Sequence, residues 1–192
     1  MLKLSQIVKT YAAGSTQVEA LRGIDIEFRK NEFVAVLGPS GCGKTTLLSL
    51  LLGLEAPDSG EILGMEGQKL SAVFQEDRLC ENTTPVSNIR LVNPSLSKAE
   101  AQGMLRGLGL EGSLGQPVRT LSGGMKRRVA ILRALAADYD VLLCDEPFKG
   151  LDQATKALVM GYFLGKTKGK TVILVTHDQG EAETLGGHFL LL

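Results

Sequence analysis

The 192-residue chain has no tryptophan, two histidines, three cysteines and only 5% aromatic residues. Cys42, Cys80 and Cys144 are odd in number and far apart. That excludes a disulfide framework and a cysteine zinc site, and fits free thiols in a reducing compartment. Charge of one sign is also missing: Lys+Arg and Asp+Glu each number 21. A dedicated nucleic-acid binder needs a basic excess to displace counterions, so nucleic acid is not expected as a partner. No long apolar run exists; even the nearly apolar Leu47–Leu54 has only eight residues, against the ~20 of a membrane span. The N-terminal MLKLSQIVKTYAAG lacks the apolar core of a signal peptide. The expectation is a cytoplasmic protein that reaches any membrane through a partner. Composition is otherwise ordinary, 44% apolar and 22% charged, and the length suits one domain. What is abundant is glycine, 23 residues gathered at element boundaries.

Three short apolar runs organise the chain. They are Phe33–Leu37 before Gly38, Val141–Cys144 before Asp145, and Thr171–Val175 before Thr176-His177. Each is continuous instead of alternating, which predicts strands buried on both faces of a parallel sheet. Ligands of open α/β folds sit outside the carboxyl ends of such strands, so the three ends are expected to converge on one site. Leu2–Val8 and Ile24–Phe28 alternate in part and predict antiparallel strands. Ser97-Lys98-Ala99-Glu100 is a capping-box pattern, followed by Ala101, Met104, Leu105 and Leu108 at helical spacing and Gly109 as a stop. A second helix is predicted from Gly124. Met125, Val129, Leu132 and Ala136 form its apolar face, and Lys126, Arg127 and Arg128 its solvated one. Residues of about 77–135 therefore read as a helical subdomain inserted into an α/β core.

The segment Gly38-Pro39-Ser40-Gly41-Cys42-Gly43-Lys44-Thr45 matches the phosphate-binding loop pattern, with a buried strand before it and a helix opening at Thr46 after it. Its glycines let backbone N–H groups turn inward around phosphates, and the helix end adds its positive dipole. Lys44 would reach the β- and γ-phosphates, and Thr45 would ligate Mg²⁺. Asp145 at a strand end suits Mg²⁺, and the adjacent Glu146 is placed to polarise an attacking water. Leu121-Ser122-Gly123-Gly124 before the basic helix makes a second anion cradle. Two copies docked head to tail, each completing the other's nucleotide site, would give that second cradle a purpose.

With these motifs in this order, the chain resembles the ATP-binding cassette (ABC) ATPases that drive ABC transporters. Val73-Phe74-Gln75, Gly150-Leu151-Asp152 and Thr176-His177-Asp178 stand at the places the resemblance requires. It implies an α/β fold: a phosphate-loop NTPase core with a mostly parallel sheet, an N-terminal antiparallel β part and an inserted helical subdomain. The whole of 1–192 would be a single domain, with a core of 1–76 and 136–192. The resemblance also implies that Tyr11 stacks on adenine and that Gln75 joins Thr45 and Asp145 around Mg²⁺ and senses a membrane partner. Glu146 would be the general base, and His177 would contact the γ-phosphate. Ser122, Gly123 and Gly124 would bind ATP held by the opposite subunit, with Asp152 at the dimer interface. The implied partners are a second identical or paralogous ATPase subunit, separate transmembrane permease subunits and a substrate-binding protein. The implied location is the inner face of the cell membrane.

Some positions depart from the family pattern. Met125 replaces a more usual glutamine and resembles ATPases of nitrate, sulfonate and taurine importers. Lys149 stands where a small residue is usual, so the loop before Asp152 is expected to pack differently. Asn31-Glu32 replaces a Gly-Glu turn, Gly186-Gly187-His188 replaces Ala-Asp-Arg, and the stretch from Gly60 to Gln75 is short. The chain also ends soon after His177, which reads as a compact cassette, with reduced stability or dependence on a partner as the expectation. Two other functions compete with transport. One is a cell-division type ABC ATPase; the interval from Lys44 to Ser122 is too short for the coiled-coil arms of repair ATPases. The other is a nucleotide-binding regulatory module with little turnover, disfavoured by the presence of both Glu146 and His177.

Overall fold

The computed structural model describes residues 1–14 and 16–192. In chain order the first elements are β1 (Leu2–Ala13), β2 (Thr16–Phe28), β3 (Phe33–Leu37), α1 (Lys44–Leu51), β4 (Ser59–Leu63) and β5 (Leu70–Val73). Helices α2 (Pro85–Val92), α3 (Lys98–Gly107) and α4 (Gly123–Ala136) follow. The chain closes with β6 (Val141–Asp145), α5 (Gln153–Thr167), β7 (Thr171–Thr176), α6 (Gln179–Leu185) and β8 (His188–Leu191). Contacts divide it into two compact units. The first comprises Met1–Leu70, Asp140–Asp145 and Gly169–Leu192; the second comprises Ser71–Tyr139 and Glu146–Lys168.

The first unit holds both kinds of sheet that the sequence pattern predicts. β1 pairs antiparallel with β2 and β4. Both strands of the β1–β2 ribbon run well past the alternating segments. Leu2, Leu4, Ile7, Leu21, Ile26 and Phe28 are buried, while the distal part of β2 is exposed. β6, β7, β3 and β8 run parallel in that order. β6 and β7 are buried along their whole length. Their continuous apolar texture is thus explained by cover on both faces. One core joins β1 and β2 to Val34 and Val36 of β3, Leu47 and Leu51 of α1, Leu143 of β6 and Ile173 of β7. Asn31 adopts a left-handed φ of 61° and its N–H donates to Thr171 Oγ1 at 2.9 Å, so it serves in the turn where a glycine is common.

The second unit is mainly helical, and its helices begin on side-chain caps. Thr84 caps α2 with Pro85 at the first position, and Ser97 and Glu100 form the expected capping box of α3. Ser122 Oγ accepts the Met125 N–H at the start of α4, and Asp152 Oδ1 accepts the Thr155 N–H at the start of α5. Ile89, Leu105, Leu108, Val129, Ile131, Leu132, Phe148 and Phe163 are fully buried. Phe148 and Phe163 meet edge to face with centroids 5.6 Å apart.

One expectation fails here. Lys126, Arg127 and Arg128 do not form a solvated face: Arg127 is 5% exposed, and its neighbours are half-buried. α4 is covered nearly all round, because Val129, Ala130, Ile131 and Leu132 are all buried. Arg127 lies on the same side as Ala130, Ile131 and Ala134, which helical spacing places together.

Ile173 is fully buried in the core. Ile173→Ala is expected to cost about 2–5 kcal/mol through lost burial and a residual cavity. Val18→Ala, on the exposed part of β2, is expected to stay within about 0.5 kcal/mol. Denaturant midpoints of the two variants check the pair.

Candidate functional site

The phosphate-loop side of the site lies in the first unit. Parallel register sets Leu37 of β3 opposite Thr176 of β7, and Asp145 of β6 opposite Val175. The carboxyl ends of the three strands therefore lie side by side, with the loop from Gly38 and the exposed His177 leaving from them. Gly41 and Gly43 sit at φ 86° and 101°. Gly43 is the N-cap of α1, and a Cβ there would collide with the Ala20 carbonyl oxygen. Lys44 is 7% exposed, and its ammonium donates to the carbonyls of Gly38 and Pro39 at 2.7 and 2.8 Å. Cys42 Sγ lies 3.8 Å from the same ammonium. The lysine charge is thus held inside the loop by carbonyl dipoles.

Thr45 Oγ1 donates to Asp145 Oδ2 at 2.9 Å across 100 residues of chain. This hydroxyl and carboxylate are hard oxygen donors of the kind Mg²⁺ takes together with substrate phosphates. Among the described residues no three His, Cys, Asp or Glu side chains gather into a metal cluster. The Thr45–Asp145 pair fits a magnesium that would take its further ligands from bound phosphates and water.

Tyr11 stands at the far end of β1, 37% exposed, and its hydroxyl donates to Glu55 Oε2 at 2.7 Å. Lys9 Nζ lies 5.6 Å from the ring centroid. Burial first, then the bond to Glu55, pushes the phenol above its ordinary pKa, and the side chain of Thr46 works in the opposite direction. A separate cavity of about 460 Å³ opens beside Gly41 and Cys42, walled by Glu19, Ala20, Arg22 and Leu192. Tyr11, Lys44, Thr45 and Asp145 are not among its described lining residues.

The remaining candidates belong to the second unit. Glu146, next to Asp145 in the chain, has a left-handed φ of 44°, a rare state for a non-glycine residue. Its side chain is 13% exposed, and the Lys149 ammonium lies 2.8 Å from Oε2. Lys149, the unusual residue before Asp152, thus pairs with the candidate base. Gln75 is exposed on the loop after β5, and its carbonyl accepts from Arg127. Ser122 and Gly123 are exposed at the start of α4, with Gly124 half-buried beside them. Asp152 is exposed, and its bonds to Thr155 hold its carboxyl below the usual carboxylate range.

Sequence reasoning missed Arg127. Its Nε donates to the Pro147 carbonyl at 2.7 Å and its Nη2 to the Glu146 carbonyl at 2.6 Å. Its Nη1 reaches the carbonyls of Phe74 and Gln75 and lies 3.3 Å from Asp77 Oδ1. The available signal was its helical spacing with Ala130, Ile131 and Ala134.

The two loop glycines separate strain from collision. Gly43→Ala must adopt a left-handed φ and also displace the Ala20 carbonyl, whereas Gly41→Ala meets nothing within 4 Å. Backbone strain of this kind costs about 1–3 kcal/mol. Gly43→Ala is expected to lose more stability than Gly41→Ala, as read by thermal melting of the two variants side by side.

Comparison with known proteins agrees with this geometry. The family model described as ABC transporter matches residues 21–149. The aliphatic sulfonates import ATP-binding protein SsuB 3 of Paraburkholderia xenovorans is 44% identical over 172 residues, covering 88% of this chain and 69% of that protein. The macrolide export ATP-binding/permease protein MacB of Campylobacter fetus is 36% identical, over 93% of this chain but 31% of that protein. Among solved structures, the ATP-binding cassette MJ0796, dimeric in a post-hydrolysis state bound to ADP and phosphate, superimposes with a TM-score of 0.89. It is 30% identical, with 100% of this chain and 94% of that one covered. Among the described residues no helix is long and apolar enough to cross a membrane. With a phosphate loop tied to an acidic strand end, a Leu-Ser-Gly-Gly helix start and these relatives, the chain belongs to the ABC transporter family, as an ATP-hydrolysing cassette.

Proposed function

We propose that the protein is the ATPase subunit of an importer of the sulfonate and nitrate type, working as a head-to-tail dimer beneath separate permease subunits. The observation that carries the ATPase part is the Thr45–Asp145 hydrogen bond, which joins the phosphate loop to the acidic strand end. The import reading is supported by the sulfonate relative, which matches at higher identity and over more of its own length than the export relative. Met125 in the signature points the same way. A substrate-binding protein and a position on the inner membrane face belong to this reading.

The proposed roles are those that the family resemblance implies, and each is compatible with the chemistry of its group. Loop N–H groups from Gly38 to Thr46, with the α1 dipole, hold the phosphates, and Lys44 offsets their charge. Tyr11 stacks on the adenine. Thr45 and Asp145, with Gln75, would hold Mg²⁺, which would supply charge neutralisation to the bound phosphates. The Glu146 carboxylate accepts a proton from the attacking water, and His177 holds that water and the γ-phosphate in line. Ser122, Gly123 and Gly124 present a hydroxyl and N–H groups to the ATP of the opposite subunit, so that each active site needs both copies. Asp152 lies at that interface.

General-base catalysis contributes roughly 10²–10⁴-fold, so Glu146→Gln is expected to lower ATP turnover by about that factor while leaving ATP binding intact. Light scattering after gel filtration is expected to show the variant doubling its mass with ATP and Mg²⁺ but not with ADP. Adding Ser122→Arg is expected to abolish the doubling. Turnover at the wild-type rate in Glu146→Gln would sink the assignment.

A further inference from the structure

The second unit contains a buried cation for which the proposed chemistry has no use. Arg127 sits in α4, three residues beyond the signature glycines, and its guanidinium touches two segments remote in sequence. One is the loop after β5, through the carbonyls of Phe74 and Gln75 and the Asp77 carboxylate. The other is the turn after β6, through the carbonyls of Glu146 and Pro147. A planar guanidinium with five fixed donors can serve several acceptors at once, which a lysine ammonium on a flexible stem cannot do in the same geometry.

Glu146 makes this bracing consequential. A left-handed non-glycine residue persists only where its surroundings over-determine it. Two of the Arg127 bonds fall on the carbonyls of Glu146 itself and of Pro147, the peptides that flank and follow the strained Cα. The Lys149 N–H also donates to the Glu146 carbonyl, at 3.2 Å. The loop side is braced in parallel. Arg133, also on α4, donates to the carbonyls of Asp77 and Arg78, and Arg78 stacks 3.9 Å from the Phe74 ring centroid. The Gln75 loop and the Glu146 peptide are thus both fastened to one helix, and Arg127 holds them to each other.

We infer that Arg127 is a positioning residue that sets the Glu146 carboxylate and couples its placement to the Gln75 loop. The inference rests on the ATPase reading above for the role of Glu146, and on geometry alone for the coupling. Displacement of the Gln75 loop then tilts the Glu146 peptide through a single side chain. A signal received at the loop reaches the base by this route.

The test compares Arg127→Lys and Asp77→Asn with wild type by ATP kinetics and by hydrogen exchange of the segments 73–79 and 144–150. Arg127→Lys is expected to lower kcat at least tenfold with KM for ATP within threefold, because the phosphate loop is untouched. Exchange is expected to quicken in both segments together. Asp77→Asn alters only the loop side of the guanidinium, yet is expected to quicken exchange in 144–150 as well. Wild-type kcat in Arg127→Lys, a rise in KM that accounts for the whole loss, or exchange changes confined to 73–79 in Asp77→Asn would overturn the inference. If Arg127→Lys does not fold, Asp77→Asn decides. If wild type hydrolyses no ATP, the ATPase reading fails, and the exchange arm still decides the coupling.

Discussion

Everything chemical in the first unit depends on the parallel pairing of β3, β7 and β6. These strands are buried on both faces, so a slip in register would move every side chain against the wrong neighbours. The pairing of Leu37 with Thr176 and of Asp145 with Val175 is thereby held, and three strand ends arrive at one level. The phosphate loop, Asp145 and His177 inherit their proximity from that register. The Thr45–Asp145 hydrogen bond follows from it: α1 starts where the loop returns to the sheet, and its second residue faces the end of β6.

The second unit meets a different constraint. Its irregular segments, after β5 and after β6, carry carbonyls that cannot be satisfied by a ladder or a helix, and such groups are costly to bury unpaired. α4 answers with arginines in place of apolar residues at two buried or half-buried positions, and each reads backbone oxygens on segments far from it. A buried cation is tolerated because it is paired and bonded through several donors at once. The strained Glu146 is tolerated in the same environment, where hydrogen bonds to its own carbonyl and to that of Pro147 hold the turn in place.

Much of the fold was legible. The three continuous apolar runs, the Ser97 capping box, the Ser122 start of α4 and the phosphate loop are local patterns whose physics acts within a few residues, and each appears in the structure where its residues stand. The extent of β1 and β2 was less so, because their distal parts are exposed and lack the alternation that burial imposes. The Lys126–Arg128 run misled for the opposite reason. Three adjacent cations resemble a solvated surface, yet adjacent helical residues point in different directions, and the middle one turns inward.

The sequence by itself determined the residue types and their order: a glycine-rich loop with Lys44 and Thr45, carboxylates at a strand end, a Ser-Gly-Gly helix start. These follow from local backbone geometry and side-chain chemistry, so they could be read without coordinates. Tertiary structure alone decided that Thr45 meets Asp145 and that Arg127 binds carbonyls from two separate segments. The physical reason is that the cost of a buried charge depends on which acceptors the fold brings to it, and those acceptors come from parts of the chain that local periodicity does not connect.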